Sequence, residues 1–272
     1  MDGPVLSSDS ELSRSLESQR WLFRRHPFPH YWARNVFTAE AYSAIETAFN
    51  ALLTRGLSEK PDKKRLARKI SGYDAYSANY GPETATIFAP FITRAWHDMV
   101  ANLFDVKPTY DVDIGLHHHP VGSKTGWIHN DLNPGWFVDA PRSDGINLSN
   151  SDLCDYHHGT RTADGVIPRE TVRAVAMIFY LANPVWTTGD GGETGFYANA
   201  KDPVESPAAT IPPHNNSLVM FECTPYSHHT FLTNRRHPRN NLVWWLHRPK
   251  AEVQARWGDK AIVYWKKKKP KT

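Results

Sequence analysis

Between Pro108 and Pro249 the chain breaks into short strand-length runs: "TYDVDIGLHHH", "VRAVAMIFYLAN", "GGETGFYA", "NSLVMFEC", "SHHTFLT" and "RNNLVWWLH". Turn signals divide the later ones, at Gly189 to Gly192, Pro212-Pro213, Asn215-Asn216, Thr224-Pro225 and Asn234 through Pro238. Apolar runs of that length with such punctuation read as a mainly antiparallel β region. The preceding half has a different texture. Thr38 is an N-cap candidate, and "AEAYSAIETAFNALLTRG" carries Tyr42, Ile45, Phe49, Leu52 and Leu53 near a 3.6 period before Gly56 closes it. "TATIFAPFITRAWHDMVANLF" is a second helix candidate, interrupted or started near Pro90, and "LSRSLESQRWLF" a short one, ended by the prolines of "HPFPHYW". Helices first and antiparallel strands after predict an α+β chain, helices packed on a β-sandwich or jelly roll.

The expected organisation is a helical lead-in over 1–107, a β core over 108–249 and a basic tail over 250–272. Residues 1–10 read as frayed, and 57–72 ("SEKPDKKRLARK" within it) as a solvated loop. The polar stretch 139–170 has the length of a lid or substrate-binding insertion.

With 40% hydrophobic and 12% aromatic residues in 272, the chain can bury a sizeable core, which excludes a disordered protein. No apolar run approaches the roughly 18 residues of a membrane span, and the N-terminus lacks a signal-peptide core. Cys154 and Cys223 are too few for a disulfide framework or a zinc cluster. A reducing, cytoplasmic location is the expectation. Charge is uneven: residues 248–272 hold nine Lys or Arg against two acids, a net of +7, which leaves −3 for the rest. The ending "AIVYWKKKKPKT" suits a solvated tail or peripheral contact with an anionic membrane surface. Nucleic acid is not an expected partner, because no recognised binding motif accompanies the charge.

The chemistry begins at "GWIHNDLNPGWF". On an extended segment, side chains at i and i+2 face the same way, so His129 and Asp131 can converge on one ion. Alone, H-x-D is common by chance. An open metal site of the facial type needs a second His. The segment "FECTPYSHHTFLTNRRHPRNNLVWWLH" supplies one on a strand, with an Arg opening the next strand. There is no H-E-x-x-H, which argues against a zinc protease type of site. Trp127, Trp136 and Phe137 flank the H-x-D, where they either line a substrate mouth or pack the core.

Four blocks in order, "HHHPVGSKTGWIHND", "AMIFYLANPVWTTGDGGETGFY", "IPPHNNSLVMFEC" and "SHHTFLTNRRHPRNNLVWWLH", resemble the catalytic core of the Fe(II)- and 2-oxoglutarate-dependent dioxygenases, prolyl 4-hydroxylase-like branch. "HPFPHYWARNVFTAEAYSAIETAF" resembles that family's helical lead-in. The resemblance implies a double-stranded β-helix with the metal at its open end. It implies Fe(II), with 2-oxoglutarate and O2 as co-substrates, and a small-molecule or tethered substrate. The metal ligands it implies are His129, Asp131 and a distal His. His229, followed by Thr230-Phe231 and by Arg239 ten residues on, fits the pattern better than His228, which stays open as the alternative. Arg239 would hold the far carboxylate of 2-oxoglutarate, since its planar fork matches a carboxylate. Tyr180 and His119 are further candidates for co-substrate contact, each with packing as its plainer role. His119 stands where relatives carry Tyr, and Asn241 where they carry Ser. The carboxylate of Asp131 points to hydroxylation rather than halogenation. The rival readings are a cupin-like jelly-roll metalloenzyme that does not use 2-oxoglutarate and a catalytically silent binding protein.

Overall fold

The computed structural model describes residues 10–18, 20–68, 73–81 and 85–265. The lysines of the basic tail, Lys266 to Lys271, and the first nine residues lie outside the described residues. In chain order the elements are α1 (Ser10–Ser15), β1 (Leu22–Arg24), β2 (His30–Arg34), α2 (Ala39–Leu53), β3 (Leu57–Ser58), β4 (Leu66–Ala67), β5 (Tyr76–Asn79), α3 (Arg94–Phe104), β6 (Asp111–His119), β7 (Pro134–Phe137), β8 (Asn147–Leu148), β9 (Arg169–Tyr180), β10 (Thr194–Tyr197), β11 (Ala209–Ile211), β12 (Ser217–Glu222), β13 (His228–Phe231), β14 (Arg239–Pro249) and α4 (Lys250–Trp257).

Local chemistry sets the helix limits. Thr38 caps α2 by accepting from Ala41 N at 3.3 Å, as its position before the periodic run predicts. The second helical stretch is divided: Pro90 sits in a 3₁₀ turn, Ala85–Ile92, and α3 begins afterwards on its own cap, Thr93. Proline has no N–H for an α-helical interior, which is why the regular helix starts only beyond it.

The strands form a large sheet in the order β1-β2-β12-β9-β14-β6-β5-β4-β3, with β7 on β9 and β8 on β6. A smaller sheet, β11-β10-β13, faces it across the barrel. This is the double-stranded β-helix. The lead-in is not only helical: β1 and β2 extend the large sheet beside β12, and β5 extends it beside β6.

Burial on both faces explains the continuous apolar run of β9. Met177 and Phe179 face the helices, in a core shared with Phe37, Phe49, Phe91, Trp96 and Trp244. Ala176, Ile178 and Tyr180 face the barrel interior with Phe196, Val219, Phe221 and Val243. Each large side chain fully buried in this way contributes about 1.5–3 kcal/mol of transfer free energy.

The stretch 139–168 folds back on the sheet. Cys154 and Tyr156 are buried, Asn147 donates to Asp111 Oδ1 at 2.7 Å, and Tyr156 is 2.8 Å from His247 Nε2. Residues 169 and 170, placed at the end of the insertion by sequence, already belong to β9. After α4 the chain straps back: Val263 N donates to Leu132 O at 2.9 Å, and Trp265 Nε1 to Pro134 O at 2.9 Å.

Candidate metal centre

His129 lies opposite His229 in a one-pair antiparallel bridge, with His129 N donating to His229 O at 3.1 Å and the reverse bond at 2.8 Å. That backbone pairing places the two imidazoles side by side, ring centroids 4.4 Å apart. Asp131 follows two residues on, and its carboxylate turns to the same point. Its oxygens are 3.8 Å from His129 Nε2 and 3.7 Å from His229 Nε2. One donor atom from each of the three lies within 4.8 Å of the others. His228, the neighbour on β13, is not in this group; alternation along the strand turns it the other way.

The donor set fits a divalent ion. His129 Nδ1 is 2.9 Å from Trp127 O, and His229 Nδ1 is 3.1 Å from Ser227 O. A carbonyl only accepts, so each Nδ1 carries the proton and each Nε2 keeps its lone pair for the centre. Burial pulls the pKa of His229 down to about 4, and the nearby His129 ring acts in the same direction, so it is neutral at pH 7. Burial pushes Asp131 upward, but Arg173, then His229 and His129, overcome it and bring the carboxyl to about 2. Arg173 Nη1 donates to Asp131 Oδ1 at 3.0 Å, and Trp245 Nε1 donates to Oδ2 at 2.8 Å. Two imidazoles and one fixed carboxylate are the donor chemistry of a facial iron site.

Deeper in the barrel, Arg239 opens β14 and is 3% exposed. Its Nη1 donates to Asn241 Oδ1 at 2.8 Å and its Nη2 to Thr194 Oγ1 at 2.9 Å. Its Nε is buried with no hydrogen-bond partner among the described residues. Asn241 thus contacts the guanidinium at the position where relatives carry Ser. Tyr180 lies 2.6 Å from Thr194 Oγ1, its ring 5.2 Å from the Arg239 guanidinium. His119 is fully buried and stacks on Phe231 at 3.9 Å, and its Nδ1 is 3.1 Å from Asp74 O. Burial lowers the pKa of His119 well below its ordinary value, and the Arg239 charge adds to this.

Three residues at the site were not anticipated from sequence. Tyr73 reaches in from just beyond the stretch 57–72, its hydroxyl 3.3 Å from His119 Nε2 and its ring 5.8 Å from that of Trp127. Desolvation pushes its phenol up to about 12, with the Arg239 charge opposing and Asp131 adding to the shift. Thr194 lies inside the "GGETGF" signature but had not been singled out. Arg173 carried a signal, since a cation opening an apolar strand is unexpected without a buried partner. Of the flanking aromatics, Trp127 is 52% exposed at the rim whereas Phe137 is core.

Comparison with known proteins bears on the fold and the class of chemistry. A family model described as 2OG-Fe(II) oxygenase superfamily matches residues 153–247, which takes in His229 and Arg239 and begins after Asp131. Over that stretch, about a third of the chain, the sequence is similar to the iron- and 2-oxoglutarate-dependent dioxygenases, which supports an enzyme of that class. Among solved structures, a Pseudomonas putida prolyl-4-hydroxylase is similar at 15% identity and TM-score 0.52, with 80% of this chain and 92% of that one covered. A viral collagen prolyl hydroxylase from Paramecium bursaria Chlorella virus-1, solved as a 2OG complex, is similar at 14% identity and TM-score 0.50, with 80% and 95% covered. These likenesses establish the fold. Among curated proteins none matches this chain significantly.

Proposed function

We propose that His129, Asp131 and His229 hold Fe(II), that Arg239 holds the far carboxylate of 2-oxoglutarate, and that the enzyme hydroxylates an unactivated C–H bond. The observation that carries this reading is the pairing of two features in one barrel. One is a facial set with both imidazole Nε2 atoms freed by carbonyl contacts at Nδ1. The other is a buried arginine whose Nε has no partner among the described residues. When bound, the iron and co-substrate supply the oxidation: O2 is consumed, 2-oxoglutarate becomes succinate and CO2, and one oxygen atom goes to the substrate.

The chain's own residues orient and exclude. Arg239, flanked by Thr194 and Asn241, presents a fixed cation that needs no rearrangement to meet a carboxylate. Tyr180, anchored on Thr194, and Tyr73, near both Arg239 and Asp131, are placed to donate to the co-substrate. His119 shapes the same wall by stacking on Phe231. The apolar interior formed by Phe196, Phe221 and Ile178 keeps bulk water away. Substrate would enter past Trp127 and Tyr226, both exposed and both within three residues of an imidazole of the triad.

Peptidyl proline is the first substrate class to test, because the two structures named above are prolyl hydroxylases. Free amino acids, carrier-bound intermediates, sugars and lipids follow. The test is mass spectrometry of candidate substrates for one added oxygen, with succinate measured in parallel. Metal-dependent succinate with a matching product supports the reading, and Asp131→Ala should abolish both. Oxidation of a substrate without any need for 2-oxoglutarate would favour a cupin-like enzyme instead. Cytoplasmic location and contact of the lysine-rich end with an anionic membrane surface stay part of the proposal on sequence alone. Cosedimentation with anionic vesicles tests the second.

A further inference from the structure

Arg173 is the least expected charge in the barrel. Its side chain is 4% exposed, and it pairs with an Asp131 side chain that is 9% exposed. A β-bulge puts it there. Counting back from Tyr180, Ile178 and Ala176, strict alternation would give the next inward place on β9 to Ala174. The β9–β14 register slips between Leu246 and His247, so that Leu246 faces Val175 but His247 faces Arg173, and Ala174 is left over. The slip turns Arg173 inward, toward the carboxylate. Bulges beside active sites act in this way, re-aiming one side chain.

The guanidinium is then held from several sides. The Trp245 ring lies 3.7 Å from it, and Tyr156 accepts from its Nε at 3.0 Å. Trp265 covers it at 5.2 Å. Trp265 belongs to the C-terminal strap, which also grips the three residues after Asp131. Val263 N donates to Leu132 O, Asn133 Nδ2 donates to Val263 O at 2.6 Å, and Trp265 Nε1 donates to Pro134 O. The strap therefore touches the Asp131 segment twice, through its backbone and through Arg173.

We propose that Arg173 is a positioning residue that fixes the Asp131 carboxylate for metal binding, and that the strap around Val263 to Trp265 holds both in place. This rests on the triad reading above and assigns part of the C-terminal end a role in the centre. Partners of metal ligands set ligand orientation, and their loss weakens metal affinity by about 10–100-fold. Removing the cation has an opposing effect, since a carboxylate freed from it attracts a metal ion more strongly. The proposal is that positioning outweighs this.

The test uses the full-length protein titrated anaerobically with Co(II) alone, followed by its ligand-field absorption, with far-UV circular dichroism as the check on folding. Arg173→Gln should weaken Co(II) binding by about 10–100-fold and alter the absorption of the residual complex. A purely structural role would not alter that spectrum. Arg173→Lys should recover part of the affinity, and Trp265→Ala should move it in the same direction as Arg173→Gln by a smaller factor. Binding by folded Arg173→Gln as tight as wild type, or tighter, overturns the proposal. If Arg173→Gln does not fold, Trp265→Ala decides: weakened binding supports the proposal and unchanged binding overturns it. Failure of the wild type to bind Co(II) overturns the triad reading instead.

Discussion

Replacing Arg239 by Ala should raise the apparent KM for 2-oxoglutarate and leave metal binding alone. Arg239 is 3% exposed, so any carboxylate its guanidinium meets is shielded from water. Two of its donors are committed to Asn241 and Thr194, and Nε has no partner among the described residues. A hydrogen bond to a charged group contributes about 1.5–3 kcal/mol, and each 1.4 kcal/mol is about tenfold in affinity, so the expected rise is roughly 10–150-fold. Arg239→Lys should recover only part of this, because a point charge cannot serve Asn241, Thr194 and a carboxylate together. The assay is succinate formation against 2-oxoglutarate concentration at saturating iron, with Co(II) affinity as the control. The triad does not use Arg239, so that control should not move. A KM within about threefold of wild type, less than 1 kcal/mol, refutes the assignment of Arg239 to the co-substrate.

Single replacements of His129, Asp131 or His229 by Ala should abolish succinate formation while the thermal unfolding curve stays near that of wild type; a large fall in Tm would mark these side chains as packing. Tyr73→Phe removes one neutral donor, worth about 0.5–1.5 kcal/mol, and should raise the 2-oxoglutarate KM by about 2–12-fold; an unchanged KM would leave the phenol a role only against His119. His247 is fully buried and its pKa is brought down to about 3, chiefly by burial, so the unfolded chain binds its proton first as pH falls. Stability from this group is complete above about pH 6.5 and declines toward about pH 3, by up to roughly 1.4 kcal/mol per pH unit. Urea midpoints at pH 7.5 and 5 should show the loss, and His247→Phe should flatten it.

Much of this centre could be read from sequence because its decisive contacts are local or periodic. His129 and Asp131 are two residues apart on extended chain; the resemblance, with Thr230-Phe231 and Arg239 following at the family's spacing, favoured His229 over His228, and alternation turns the neighbour away. Thr38 announced α2 because an N-cap is a property of a few neighbouring residues. What stayed hidden depends on register between distant strands. Arg173 faces Asp131 only because Ala174 is skipped in the pairing of β9 with β14, and a one-residue slip leaves no mark on hydrophobic periodicity. Tyr73 directly follows the basic stretch 57–72 and carries no periodic or motif signal of its own, yet its ring occupies space beside Gly126. A Cβ at Gly126 would stand 3.4 Å from the Tyr73 ring and 2.7 Å from Thr230 Oγ1. The length and polarity of 139–170 suit a lid or substrate-binding insertion. Polar composition, however, does not distinguish a loop over a mouth from one that folds back to donate Tyr156 to a buried network. The cluster of His129, Asp131 and His229 is therefore a pattern along the chain, whereas the groups packed around it, Arg173, Trp245 and Trp265, follow from how the sheet and its C-terminal strap close.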